Sequence, residues 1–173
     1  MSLLDILCPT PCAGCGAAGG PACHRCRDPL LSAARRHRPS PCPPGLPPLW
    51  VVAPYEGSTR HLLLAFKERG STGVSGALSV PLATAVRAAM RGVSGRVLLV
   101  PVPSSPVAIR ARGDDVIGLL AARTARLLRA SAVDCRSVSV LAQCRPVADS
   151  AGLSAAMRAE NLRHALAVRP GRD

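Results

Sequence analysis

Four cysteines fall within fifteen residues near the N-terminus, in the stretch CAGCGAAGGPACHRC. Cys12 and Cys15 form one Cys-x-x-Cys pair and Cys23 and Cys26 another, with seven residues between the pairs. Thiols at this spacing can hold a metal ion, cycle as a redox pair or close a disulfide staple. A thioredoxin-like redox pair needs a strand and a helix around it, and no such pattern flanks these cysteines. In a reducing compartment two such pairs read as ligands of Zn²⁺, four thiolates giving the closed tetrahedral shell of a structural site. Gly14 and Gly16 suit a tight knuckle, because glycine takes positive φ without steric cost. Arg25 and Arg27 offset the net negative charge of a four-thiolate centre. His24 is a substitute ligand only where a thiolate is missing. Cys8, Cys42, Cys135 and Cys144 have no paired spacing and read as small hydrophobes or free thiols.

The elements that must position these residues follow from pattern. RDPLLSAARRHR (27–38) reads as a short basic helix opened by Asp28 and Pro29. PSPCPPGLPP (39–48) has six prolines in ten residues and reads as a stiff extended linker. This divides the chain into a module at 1–38, a linker at 39–48 and a main domain at 49–173. In the main domain LWVVAPY (49–55), RVLLVPVP (96–103) and SVSVLA (137–142) read as strands. Helical periodicity marks 58–70, with Gly70 past its end, then 80–92, 116–130 and 153–168, with Ser154 as a cap. Strands alternating with helices predict an α/β fold with a mainly parallel sheet.

Composition bounds the function. The formal net charge is +12, and every basic side chain except Lys67 and the histidines is arginine. Such charge fits a polyanionic partner, whether DNA, a phosphorylated small molecule or a membrane surface. It also fits a solvated arginine-rich face, or codon bias in a GC-rich genome. One Trp, one Tyr and one Phe argue against a stacking platform for single strands. No segment reaches the roughly 18 apolar residues of a membrane span, and MSLLDILC lacks the basic start of a signal peptide. A cytoplasmic protein is therefore expected.

Taken together, the four-cysteine front end, APYEGSTRHLLLAFKERG, LVPVPSSPVAIRARGDD and RPVADSAGLSAAMRAENLRHAL resemble the ComF family. These are phosphoribosyltransferase-like proteins named for a component of DNA uptake in competent bacteria. The resemblance implies a small zinc-ribbon-like module followed by a type I phosphoribosyltransferase-like parallel sheet with flanking helices. Such folds bind 5-phosphoribosyl-1-pyrophosphate (PRPP) with Mg²⁺ at the carboxyl ends of parallel strands, as the general rule for open α/β sheets expects.

On this reading the pyrophosphate belongs to loop 103–113, with Ser104, Ser105, Arg110 and Arg112 as donors. Lys67 and Arg69 add positive charge, and Arg145, Arg158 and Asn161 belong to a loop over the substrate. Asn161 also reads as a bridge between backbone groups. The chain departs from the family pattern at Asp114, Asp115 and Val116, where Phe–Asn–Gln is usual, at Ser150 for Gln and at Met157 for Glu. The acidic-pair and Thr–Gly loop that hold the ribose and 5′-phosphate are not found in these residues. The expectation is a truncated or degenerate member, catalytically incomplete, that needs Mg²⁺ only if a full site exists. Two other readings stay open: a zinc-ribbon accessory protein bound to nucleic acid, and a structural zinc-ribbon adaptor whose partner is a protein; the resemblance itself implies proteins of the competence machinery as partners.

Overall fold

The structure is a computed structural model that describes residues 10–148 and 152–169; Cys8 and Ser150 lie outside the described residues. The chain opens on the two cysteine knuckles, closed by backbone bonds from Gly16 N–H to the Cys12 carbonyl at 2.7 Å and from Ala13 N–H to that of Pro21 at 3.0 Å. A single helical turn, α1 (His24–Arg27), follows the second pair and runs into a 3-10 turn over Asp28–Leu31.

The expected basic helix stops there. Leu30 is buried but Leu31 is 67% exposed, so there is no apolar stripe for a helix to bury. Ser32 is extended, at φ −64° and ψ 156°. Arg35–His37 instead forms a strand, β1, paired antiparallel with β2 (Leu49–Val51) in the register Arg36 opposite Trp50. The proline-rich stretch 39–48 is thus the loop of a hairpin whose two arms bond to each other.

Two helices follow. In α2 (Gly57–Lys67), Leu62, Ala65 and Phe66 are buried, and the chain turns away at Gly70 with φ +64°. In α3 (Ser75–Ala89), the start lies five residues before the expected Val80, with Pro81 inside the helix. Proline normally marks a first turn. Here Leu78, Ala83 and Ala85 are buried along the helix, and that burial outweighs the hydrogen bond that proline cannot donate.

The α/β part is β3 (Val97–Leu99), α4 (Pro106–Arg112), α5 (Val116–Arg129) and β4 (Cys135–Ser137). β3 and β4 pair in parallel, Val97 opposite Cys135. The remaining strands, β5 (Leu141–Gln143) and β6 (Leu166–Val168), pair antiparallel around α6 (Ala155–Leu162). The fold is α/β with a four-cysteine cluster at its front, and the parallel component among the described residues is one pair of strands.

Two buried clusters hold the chain together. One joins Cys12, Cys23, Cys26 and Leu30 to Leu62 and Phe66 of α2, Val74, Leu78 of α3 and Val116 of α5. The other joins Ala83, Ala125, Leu128 and Cys135. The first runs across the proline-rich stretch: the cysteine knuckles and the main domain share one core.

Candidate metal centre

The side-chain sulfurs of Cys12, Cys15, Cys23 and Cys26 all lie within 4.8 Å of one another. Sulfurs at the corners of a tetrahedron with metal–sulfur bonds of about 2.3 Å stand about 3.8 Å apart. Cys15 and Cys23 are at 3.7 Å. The four residues can therefore hold a metal ion, and His24 is not among them. Cys12, Cys23 and Cys26 are buried and Cys15 is exposed, so the cluster sits at the edge of the first core with one ligand at the surface.

The local backbone explains the geometry. Gly14 N–H and Cys23 N–H donate to Cys12 Sγ at 3.4 and 3.3 Å. Burial alone would push Cys12 up, but these backbone donors prevail and bring its pKa down from 9.0 to about 6. Burial and the neighbouring sulfurs push Cys26 well up. In the metal-free cluster Cys12 therefore gives up its proton more readily than Cys26. A bound cation would displace the proton that Cys26 keeps.

The two glycines act for different reasons. Gly16 has φ +78°, the left-handed turn expected of a knuckle. Gly14 has no positive φ; a Cβ there would stand 2.7 Å from Cys26 Sγ, so this position needs glycine for space. α2 clamps the knuckles from the other side. His61 Nδ1 lies 3.0 Å from the Gly14 carbonyl, and Ser58 Oγ donates to the Cys26 carbonyl at 3.4 Å. Sequence spacing does not single out His61 and Ser58, since they stand 47 and 32 residues from their partners.

The residues expected to bind phosphate fall in two places. Gly70, beyond the end of α2, packs on Arg112 at the end of α4, where a Cβ on Gly70 would meet the Arg112 carbonyl oxygen at 3.3 Å. Lys67 and Arg69 are exposed nearby in sequence, and Arg112 Nε is buried without a hydrogen-bond partner. Ser105 caps α4, its Oγ accepting from Ala108 N–H at 3.1 Å, and Arg110 is exposed. Ser104 Oγ donates to Asp115 at 3.5 Å, which sets a carboxylate beside the expected anion position. Residues 106–112, expected as loop, are helix. Ser105 as cap, Pro106 in the first turn and Gly113 at φ +82° after the end are the signals that mark it.

Arg145 and Asn161 serve the backbone. The Arg145 guanidinium donates to the carbonyls of Glu160, Asn161 and Arg163 at 3.3, 3.1 and 2.6 Å, covering the open end of α6. Asn161 bridges Ala148, donating to its carbonyl at 2.9 Å and accepting from its N–H at 3.1 Å. Arg158 is exposed on α6. Of the other cysteines, Cys135 is fully buried and its burial pushes the thiol up, Cys42 is half-buried and Cys144 exposed. No helix among the described residues is long and apolar enough to cross a membrane.

Comparison with protein-family models, with curated proteins and with solved structures returns no match for this chain.

Proposed function

We propose that this chain is a ComF-like, phosphoribosyltransferase-like protein of the cytoplasm, built on a structural zinc centre. It binds a phosphorylated ligand of the PRPP class beside Arg112 without transferring the phosphoribosyl group. Zinc is the ion because four thiolates make the closed, all-sulfur shell that it favours. The observation that carries the ligand reading is the meeting of Gly70 and Arg112, 42 residues apart, with the Arg112 Nε left unpartnered. That contact joins the Lys67–Gly70 and Arg110–Asp115 segments, and an arginine fork there suits phosphate oxygens. Transfer needs the ribose hydroxyls and the 5′-phosphate held at the same time. The acidic pair present, Asp114 and Asp115, is exposed at the α4–α5 junction rather than at the end of an apolar strand, and Asp115 is engaged by Ser104.

Calorimetry with pyrophosphate and with PRPP, each with Mg²⁺, tests the reading. Binding should weaken at least ~10-fold, or ~1.4 kcal/mol, in Arg112→Ala, and incubation with a panel of bases should release no pyrophosphate. Failure of either ligand to bind the native protein would overturn the ligand assignment. Turnover lost in Arg112→Ala would overturn the claim of incompleteness.

One observation favours a second reading, an accessory protein on DNA. Arg35, Arg36, His37 and Arg38 are exposed on the β1–β2 hairpin, and no acidic residue occurs between Asp28 and Glu56. Binding to DNA through such a surface would fall steeply with salt as counterions are released, whereas a site built for one phosphorylated molecule would respond far less.

A further inference from the structure

The geometry points to the four-cysteine cluster as an oxidation site, entered at Cys15 and closed by a disulfide to Cys23. The release of a metal ion that follows rests on the zinc reading; the sulfur chemistry does not.

Three of the four sulfur-bearing residues are sealed in the first core, Cys12 and Cys26 at 3% exposure and Cys23 at 7%. Cys15 is the exposed member, on a run of exposed residues from 15 to 19. Around it Gly16 and Gly20 have open space where a side chain would stand, with nothing within 4 Å. Backbone donors hold Cys12, and Cys26 is wedged against Gly14. Cys15 Sγ stands 3.7 Å from Cys23 Sγ, inside a cluster whose four sulfurs all lie within 4.8 Å of one another. A small oxidant therefore reaches Cys15 first, and the sulfur it then meets is that of Cys23. Closing 3.7 Å to a bond of about 2 Å needs a movement that the open loop permits and the wedged Cys26 does not.

The oxidant class is a peroxide. The Cys15 thiolate attacks one peroxide oxygen, the O–O bond breaks, and hydroxide leaves, giving a sulfenic acid at Cys15. The Cys23 thiolate then attacks the Cys15 sulfur and displaces a second hydroxide. Two sulfurs lose two electrons in all. Hydrogen peroxide takes up those electrons and two protons to become two waters. The centre then keeps two thiolates of four, and an ion held by all four is released. Thiol reductants reverse the bond.

The test uses the full chain, reduced and zinc-loaded, with one equivalent of hydrogen peroxide. Zinc release is followed with a chromogenic chelator, and the first disulfide is located by peptide mapping. One zinc should leave per disulfide, the first disulfide should join Cys15 to Cys23, and reductant with fresh zinc should restore the starting state. A Cys42→Ser, Cys144→Ser double variant should behave as the native protein. A first disulfide between any other pair overturns the proposal, as does zinc retained while peroxide is consumed. If the reduced protein takes up no zinc, the metal reading fails by itself. Mapping on that metal-free chain then decides the oxidation site on the same criterion.

Discussion

The front of the molecule and its C-terminal part are held together in different ways. Residues 12–30 put Cys12, Cys23, Cys26 and Leu30 into a core with Leu62, Phe66 and Leu78. Among the described residues of 141–168 one apolar side chain, Ala165, is buried, and Met157, Leu162, Leu166 and Val168 are between 40% and 70% exposed. That part relies on side chains bonded to backbone: Arg145 on the α6 carbonyls, Asn161 on Ala148, and Ser154 capping Met157 N–H at 3.3 Å. Burial acts on many residues at once, and an ion held by the four cysteines would add to it, so the front should unfold as a unit with α2. Exposed hydrogen bonds contribute only about 1 kcal/mol each, so the C-terminal hairpin should open locally and first.

The largest effect expected is at the sulfurs. Cys26→Ser, or a strong chelator under reducing conditions, should cost several kcal/mol, since apparent zinc-binding energies in small structural sites reach ~10 kcal/mol. Urea unfolding of the loaded and chelated protein measures it. An unchanged midpoint would erase the contrast between the two regions. Gly14→Ala comes next. Its methyl group needs the space of Cys26 Sγ, and overpacking of this kind costs about 1–3 kcal/mol. Both the urea midpoint and zinc affinity should fall, whereas Gly16→Ala should lower stability through backbone strain alone and leave Cys26 undisturbed.

A pH series sharpens the same point. In the metal-free reduced protein Cys12 holds a pKa of about 6 against 9.0 when unfolded, so between these values the unfolded chain binds more protons. Stability should therefore rise with pH from about 6 towards 9.0. Above 9.0 the raised Cys26 keeps its proton while the unfolded chain loses one, and stability should fall. Urea midpoints on the two sides of pH 9.0 test both slopes. Arg145→Ala is the smallest change, about 1 kcal/mol. Hydrogen exchange should speed up across 155–168 and stay unchanged across α2. Equal acceleration in both would show that the regions are one cooperative unit.

Local spacing makes the candidate metal centre legible, because the four cysteines fall within fifteen residues and their knuckles close through bonds no longer than the turn itself. Gly16 was readable for the same reason. So were α2 and α5, whose apolar residues recur at helical spacing, and Ser154, whose hydroxyl caps the first turn of α6. The caps of α4 stood in the sequence as well, at Ser105, Pro106 and Gly113, although its seven residues bury nothing that periodicity could register.

The tertiary structure decided the rest. Arg35–His37 is exposed at every position, so no pattern marks it as a strand; it becomes one because Leu49–Val51 lies alongside to take its backbone bonds. The stretch 137–142 divides between β4 and β5, because a three-residue strand is set by its partner, Val97–Leu99 for one and Leu166–Val168 for the other. Arg145 gave no sign in sequence of being a helix-end donor, since the carbonyls it meets lie 15 to 18 residues away. Gly14 was expected for its φ and is required for its lack of a side chain, a requirement that exists only once Cys26 has folded against it. Sequence alone determined the contacts that close over a few bonds. Contacts between distant segments depend on which surfaces the whole chain can bury together, and that is settled only in the folded state.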